Sequence, residues 1–96
     1  MDDVELKILK ILAREFEYTQ GLHVEVQKLQ KLTEMKEEVI NALESLAAQE
    51  MATLYKEKGK IKLAKITWRG LNEYGDLNLK YGLGKEFYAN YAKEGY

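Results

Sequence analysis

The chain has 96 residues, 46% of them hydrophobic and 32% charged, with a formal net charge of −1. That is the size and composition of one folded domain, and it excludes an intrinsically disordered chain. Cysteine is absent, which excludes disulfides and thiolate metal sites.

Proline is absent too, and with the many charges this leans towards a thermophilic composition. No apolar run approaches the roughly 20 residues of a transmembrane helix. The opening Met1-Asp2-Asp3 is neither a basic nor an apolar leader, so a cytoplasmic protein is expected. A domain this small has a limited core, and oligomerisation is a natural extra source of stability.

In chain order, the first expected element is a helix from Asp2 to about Tyr18, free of Gly and Pro. Asp2, Asp3 and Glu5 sit where the helix dipole favours acids. Val4, Ile8, Leu12 and Phe16 form one stripe, Leu9 and Ala13 widen it, and Leu6 and Ile11 fall on its two shoulders. An arc this wide calls for a second buried contact, from the C-terminal segment or from a partner chain.

Thr19-Gln20-Gly21 breaks the helix. Leu22, Val24 and Val26 then alternate with polar residues as in a short strand. A helix is expected from Val26 to Leu32, with Val26, Leu29 and Leu32 as its stripe, then a turn at Thr33-Glu34-Met35. A longer helix follows from Lys36 to Gln49 on Val39, Leu43 and Leu46. Ala52 to Lys56 and Ile61 to Thr67 read as strands joined by the hairpin connection Glu57-Lys58-Gly59-Lys60. Thr67 is placed to cap a helix from Trp68 to about Leu79, weakened by Gly70 and Gly75. Gly82-Leu83-Gly84 is a further break, and Lys85 to Lys93 has the makings of one more short helix.

Charge is polarised along the chain. Glu34 to Glu50 holds one base (Lys36) and five acids (Glu34, Glu37, Glu38, Glu44, Glu50). Lys56 to Lys65 holds five bases (Lys56, Lys58, Lys60, Lys62, Lys65) and one acid (Glu57).

The stretch from Lys28 to Leu46 resembles the helix-turn-helix of winged-helix regulators, with Val39, Leu43 and Leu46 at the anchoring positions of the recognition helix. Gln49-Glu50-Met51-Ala52-Thr53-Leu54 resembles the step into the first wing strand, with Glu50 where that step often carries Gly. Lys65-Ile66-Thr67-Trp68-Arg69-Gly70 is similar to the leucine-threonine, two residues, glycine signature of MarR-, PadR- and ArsR-like proteins. The likeness covers about half the chain and names no single subfamily. It implies a mainly α fold with a small β-hairpin wing, of the archaeal or archaeal-virus type of regulator. Residues 24–74 would be the helix-turn-helix and wing of one domain spanning 1–96. Residues 75–96 would add a C-terminal helical, aromatic-rich dimerisation segment.

The resemblance implies binding of double-stranded DNA by a transcriptional regulator. A helix fits the major groove and carries side chains to base edges. Lys36, Asn41 and Ser45 would face DNA from the recognition helix, where Asn41 has the groups to bond an adenine edge. Lys56, Lys58, Lys60 and Lys62 of the wing would contact phosphates or enter a minor groove. Against this, Glu34, Glu37 and Glu38 crowd the helix end that approaches phosphates. Winged helices also serve as protein-docking modules, so an adaptor without DNA binding is the alternative. The less favoured reading of the lysines is a solvated edge protected against aggregation.

Tyr74, Tyr81, Tyr88, Tyr91 and Tyr96 crowd the last 23 residues with Phe87. Such aromatics can stack on single-stranded bases, but they are as typical of protein interfaces. A homodimer is expected in which Tyr81, Phe87, Tyr88 and Tyr91 meet Leu6 and Ile11 of the first helix. His23, the only histidine, lacks metal-ligand spacing and reads as a partly exposed strand residue. No catalytic constellation, cofactor motif or metal site is expected.

Overall fold

A computed structural model describes residues 1–19 and 21–81, and the side chains of these apart from residues 17 and 75–81. The order of elements is α1 (Asp3–Thr19), β1 (Val24–Glu25), α2 (Val26–Thr33), α3 (Glu37–Ala48), β2 (Ala52–Glu57), β3 (Lys60–Ile66) and α4 (Trp68–Tyr81). The strands form an antiparallel sheet in the order β1-β3-β2. Helices with a small three-stranded sheet in this order are compatible with a winged helix. The break at Gly82-Leu83-Gly84 and the short helix expected from Lys85 lie outside the described residues.

α1 starts on Asp2, whose Oδ1 accepts the Glu5 N–H at 2.8 Å. This satisfies one of the amides that a helix start leaves without a partner. α1 buries Ile8, Leu9, Leu12 and Ala13 completely and packs against α3, β3 and α4. α4 thus packs on α1 beside α3 and covers part of the wide apolar arc. Leu6 and Ile11 remain half-buried.

β1 is shorter than the alternation of Leu22, Val24 and Val26 predicts. Val26 already opens α2, with Glu25 extended (φ −68°, ψ 135°) at the junction. The Leu22 N–H is held in a turn by Thr19 Oγ1 at 3.1 Å, and its side chain is 67% exposed. The α2 stripe also differs from expectation. Leu32 is 55% exposed, while Thr33 is buried with its hydroxyl donating to the Leu29 carbonyl at 2.7 Å. At about 100° per residue, position 32 has turned about 120° away from Val26, whereas position 33 has come back to it.

α3 buries Val39, Ala42, Leu43 and Leu46 against α1. It ends in a Schellman arrangement: the Glu50 N–H donates to Ala47 O (3.0 Å) and the Met51 N–H to Leu46 O (2.8 Å). Glu50 occupies the left-handed position, with φ at 62°. β2 and β3 join through Lys58 and Gly59, with φ of 54° and 77°. Two positive values are what a type I′ hairpin turn requires.

The start of α4 explains the Ile66-Thr67-x-x-Gly70 pattern. Thr67 Oγ1 accepts the Gly70 N–H (3.0 Å) and donates to the Glu50 carbonyl (2.6 Å). The Thr67 N–H donates to the Met51 carbonyl at 3.0 Å. Gly70 lies against that same carbonyl, and a Cβ there would collide with it and with the Ile66 side chain. Threonine therefore caps α4 and clamps it to the end of α3, and glycine permits the approach.

Candidate nucleic-acid interface

α3 is anchored on its inner side by Val39, Leu43 and Leu46, so its opposite side faces outward. Glu37, Asn41, Glu44 and Ala48 are all exposed. At about 100° per residue they fall within about 60° of one another. The outward stripe is thus two carboxylates, one amide and one methyl. Glu38 is also exposed, on the flank nearer α1. There it lines a cleft of about 360 Å³ with Asp2, Glu5 and Asn41.

Lys36 stands exposed at the N-terminus of α3, and its carbonyl accepts Gln30 Nε2 at 3.3 Å. Ser45 is drawn inward. Gln49 Nε2 reaches Ser45 Oγ (3.2 Å), the Ser45 carbonyl (3.1 Å) and Glu5 Oε2 (3.1 Å), tying α3 to α1. Of the three α3 residues expected at DNA, Lys36 and Asn41 therefore present free faces, whereas Ser45 sits in a local network.

The hairpin carries Lys56, Lys58, Lys60 and Lys62, all exposed. Lys56 differs from the others. Its Nζ lies 3.2 Å from Glu44 Oε1, a half-exposed pair that links the hairpin to α3. Exposed pairs of this kind contribute about 0–1 kcal/mol, so the link is easily exchanged for another partner.

Between α3 and the hairpin runs a groove of about 820 Å³. Sequence reading alone missed it. Its carboxylates come from three places in the chain: Glu25 before α2, Glu37 and Glu44 on α3, and Glu57 at the hairpin. Lys60 and Lys62 line it from the hairpin side. Its apolar lining includes Ile40, half-buried on α3. The signal for Ile40 was present: it is an aliphatic residue outside the Val39-Leu43-Leu46 stripe.

The expected dimer residues are only partly visible. Leu6 and Ile11 are half-buried on α1, and Ile11 packs against the core. Tyr81 is the last residue of α4, with its side chain outside those described, and Phe87, Tyr88 and Tyr91 lie outside the described residues. His23 is half-buried and stacks edge-on against Tyr55, with ring centroids 4.8 Å apart. Among the described residues no group of His, Cys, Asp and Glu could hold a metal ion, and no helix is long and apolar enough to cross a membrane. No family model, curated protein or solved structure matches the chain.

Proposed function

We propose that this domain is a winged helix that binds double-stranded DNA as a homodimer and regulates transcription, gripping the phosphates through its wing. One observation carries the reading: a tight hairpin presents Lys58, Lys60 and Lys62 to solvent beside the outward face of α3. Lysines that neutralise phosphates release counterions and supply affinity independent of sequence. α3 would then enter the major groove with Lys36 at its start and Asn41 towards a base edge. In a dimer assembled through Leu6, Ile11 and the aromatic C-terminal segment, two such helices would meet successive grooves about 34–36 Å apart.

The test is a mobility-shift titration on mixed-sequence duplex at low and moderate salt, with the native chain and with Lys58, Lys60 and Lys62 all changed to Ala. The native chain should shift the duplex at low salt. The triple variant should bind more weakly on every sequence, and its log K against log salt should flatten by about 2.7, or about 0.9 per lost phosphate contact. No shift by the native chain at low salt overturns DNA binding. Equal slopes remove the wing from the mechanism.

A second reading, a winged-helix adaptor that binds protein and no DNA, is favoured by the carboxylates along α3. It predicts no duplex shift at any salt.

A further inference from the structure

We propose that the groove between α3 and the wing is a docking site for a lysine- or arginine-rich amphipathic segment of a protein partner. The groove is open along one side, so an extended or helical segment can lie along it, and its volume is about 820 Å³.

Its lining has two chemistries. Val26 and Ile61 are buried side chains at its surface, and Ile40 and Leu63 are half-buried. Ile40 of α3 and Leu63 of β3 offer the accessible apolar seat, and Val26 and Ile61 close the floor beneath it. Around it stand Glu25, Glu37, Glu44 and Glu57, all exposed, against two lysines. With Lys56, which is paired to Glu44, four carboxylates still outnumber three ammonium groups, so the net field in the groove favours a cation. An occupant that fits has aliphatic anchors for the seat and basic residues flanking them.

Phosphates do not fit here. A duplex backbone laid in the groove would face four carboxylates, and the wing lysines would reach it only from one side. Charge complementarity therefore favours a cationic segment in the groove, and because Lys60 and Lys62 line it and also serve the proposed duplex grip, the two ligands would exclude one another. A simple polyamine satisfies the carboxylates but leaves the apolar seat wet. On α3, Glu37, Ile40 and Glu44 recur at i, i+3 and i+7, so the wall repeats with a helical period. Glu44 is bonded to Lys56, but the pair is half-exposed and an incoming basic residue can take the place of Lys56.

The experiment uses the full chain and a synthetic peptide of about 14 residues with leucines at helical spacing and lysines elsewhere. Binding is followed by fluorescence anisotropy and by amide chemical shifts. The peptide should bind with perturbations concentrated at residues 25–27, 37–44 and 57–63. Replacing its leucines with serine at constant charge should weaken binding at least tenfold, and spermine should bind at least tenfold more weakly. Ile40→Ser should weaken the leucine peptide at least tenfold. Glu37→Gln combined with Glu57→Gln changes only exposed residues and should do the same, with no more than the small drop in melting temperature that the loss of one first-turn acid brings. The proposal is overturned if the serine peptide or spermine binds as tightly as the leucine peptide, if the shifts map elsewhere, or if the glutamine variant binds as the native chain does. No arm uses DNA, so failure here leaves the duplex titration to stand alone.

Discussion

The outward stripe of α3 and the hairpin beside it carry opposite chemistry. α3 presents Glu37, Glu44 and Asn41, whereas the hairpin presents Lys58, Lys60 and Lys62. The difference follows from what each element needs in order to exist. α3 has no side-chain cap at its N-terminus. Glu37 and Glu38 in its first turn meet the positive end of the helix dipole, each worth roughly 0.3–1 kcal/mol. The hairpin has a turn in the left-handed region and open edges, along β2 and along the start of β3 that β1 does not cover, and lysines there discourage edge-to-edge pairing. Both sets of charges thus have a structural reason, and the proposed readings assign the two regions to opposite partners.

The comparison depends on the joint that holds the two regions side by side. Thr67, Gly70, Glu50 and Met51 form it where α3 hands over to β2 and β3 to α4. Gly70→Ala should be the most damaging single change to it, destabilising the fold by about 3 kcal/mol, because its Cβ has no space beside the Met51 carbonyl. Chemical denaturation measures this. An alanine variant as stable as the native chain would show that the joint is soft, and the fixed spacing of wing and helix would lose its basis.

A smaller effect sharpens the contrast itself. Neutralising Glu37 and Glu38 to Gln should raise duplex affinity about tenfold at low salt, with a gain that shrinks as salt screens the repulsion. The same change should lower stability by about 1 kcal/mol, since the first turn loses its acids. Opposite signs in the two measurements are the expected signature. If affinity does not rise, phosphates do not pass near this end of α3, and the adaptor reading gains.

Most of the framework was legible in the sequence because its signals are local. The α3 stripe of Val39, Leu43 and Leu46, the Lys58-Gly59 turn and the Thr67 cap all follow from spacing and turn chemistry. Two misses were matters of phase. Leu32 seemed to continue a stripe, but a step of three falls behind the helical repeat and Thr33 takes the inner position. Leu22 kept strand alternation, yet Thr19 holds it in the turn before β1, and the strand lasts only from Val24 to Glu25 before α2 opens at Val26. The acidic-apolar groove was harder to see. Its carboxylates lie up to 32 positions apart, from Glu25 to Glu57, and only the packing of α2, α3 and the hairpin brings them together.

Glu50 is the subtler case, because the sequence marks it and the structure supplies the reason. Where glycine is common, a glutamate adopts φ 62°. A side chain in that conformation costs roughly 1–2 kcal/mol relative to glycine. Part of this is offset by its contact with Arg69 at 3.1 Å, an exposed pair that contributes little. The Thr67 bond goes to the Glu50 carbonyl, which any residue keeps. Glu50→Gly should therefore stabilise the domain by about 1 kcal/mol, raising its melting temperature by roughly 4–8 °C. It also removes one carboxylate from the acidic run that ends at α3 without touching the outward stripe, so duplex affinity should change less than in the Glu37 and Glu38 variant. A lower melting temperature would mean that the Arg69 contact outweighs the backbone strain, and the joint would be held by charge rather than by the close approach of Gly70.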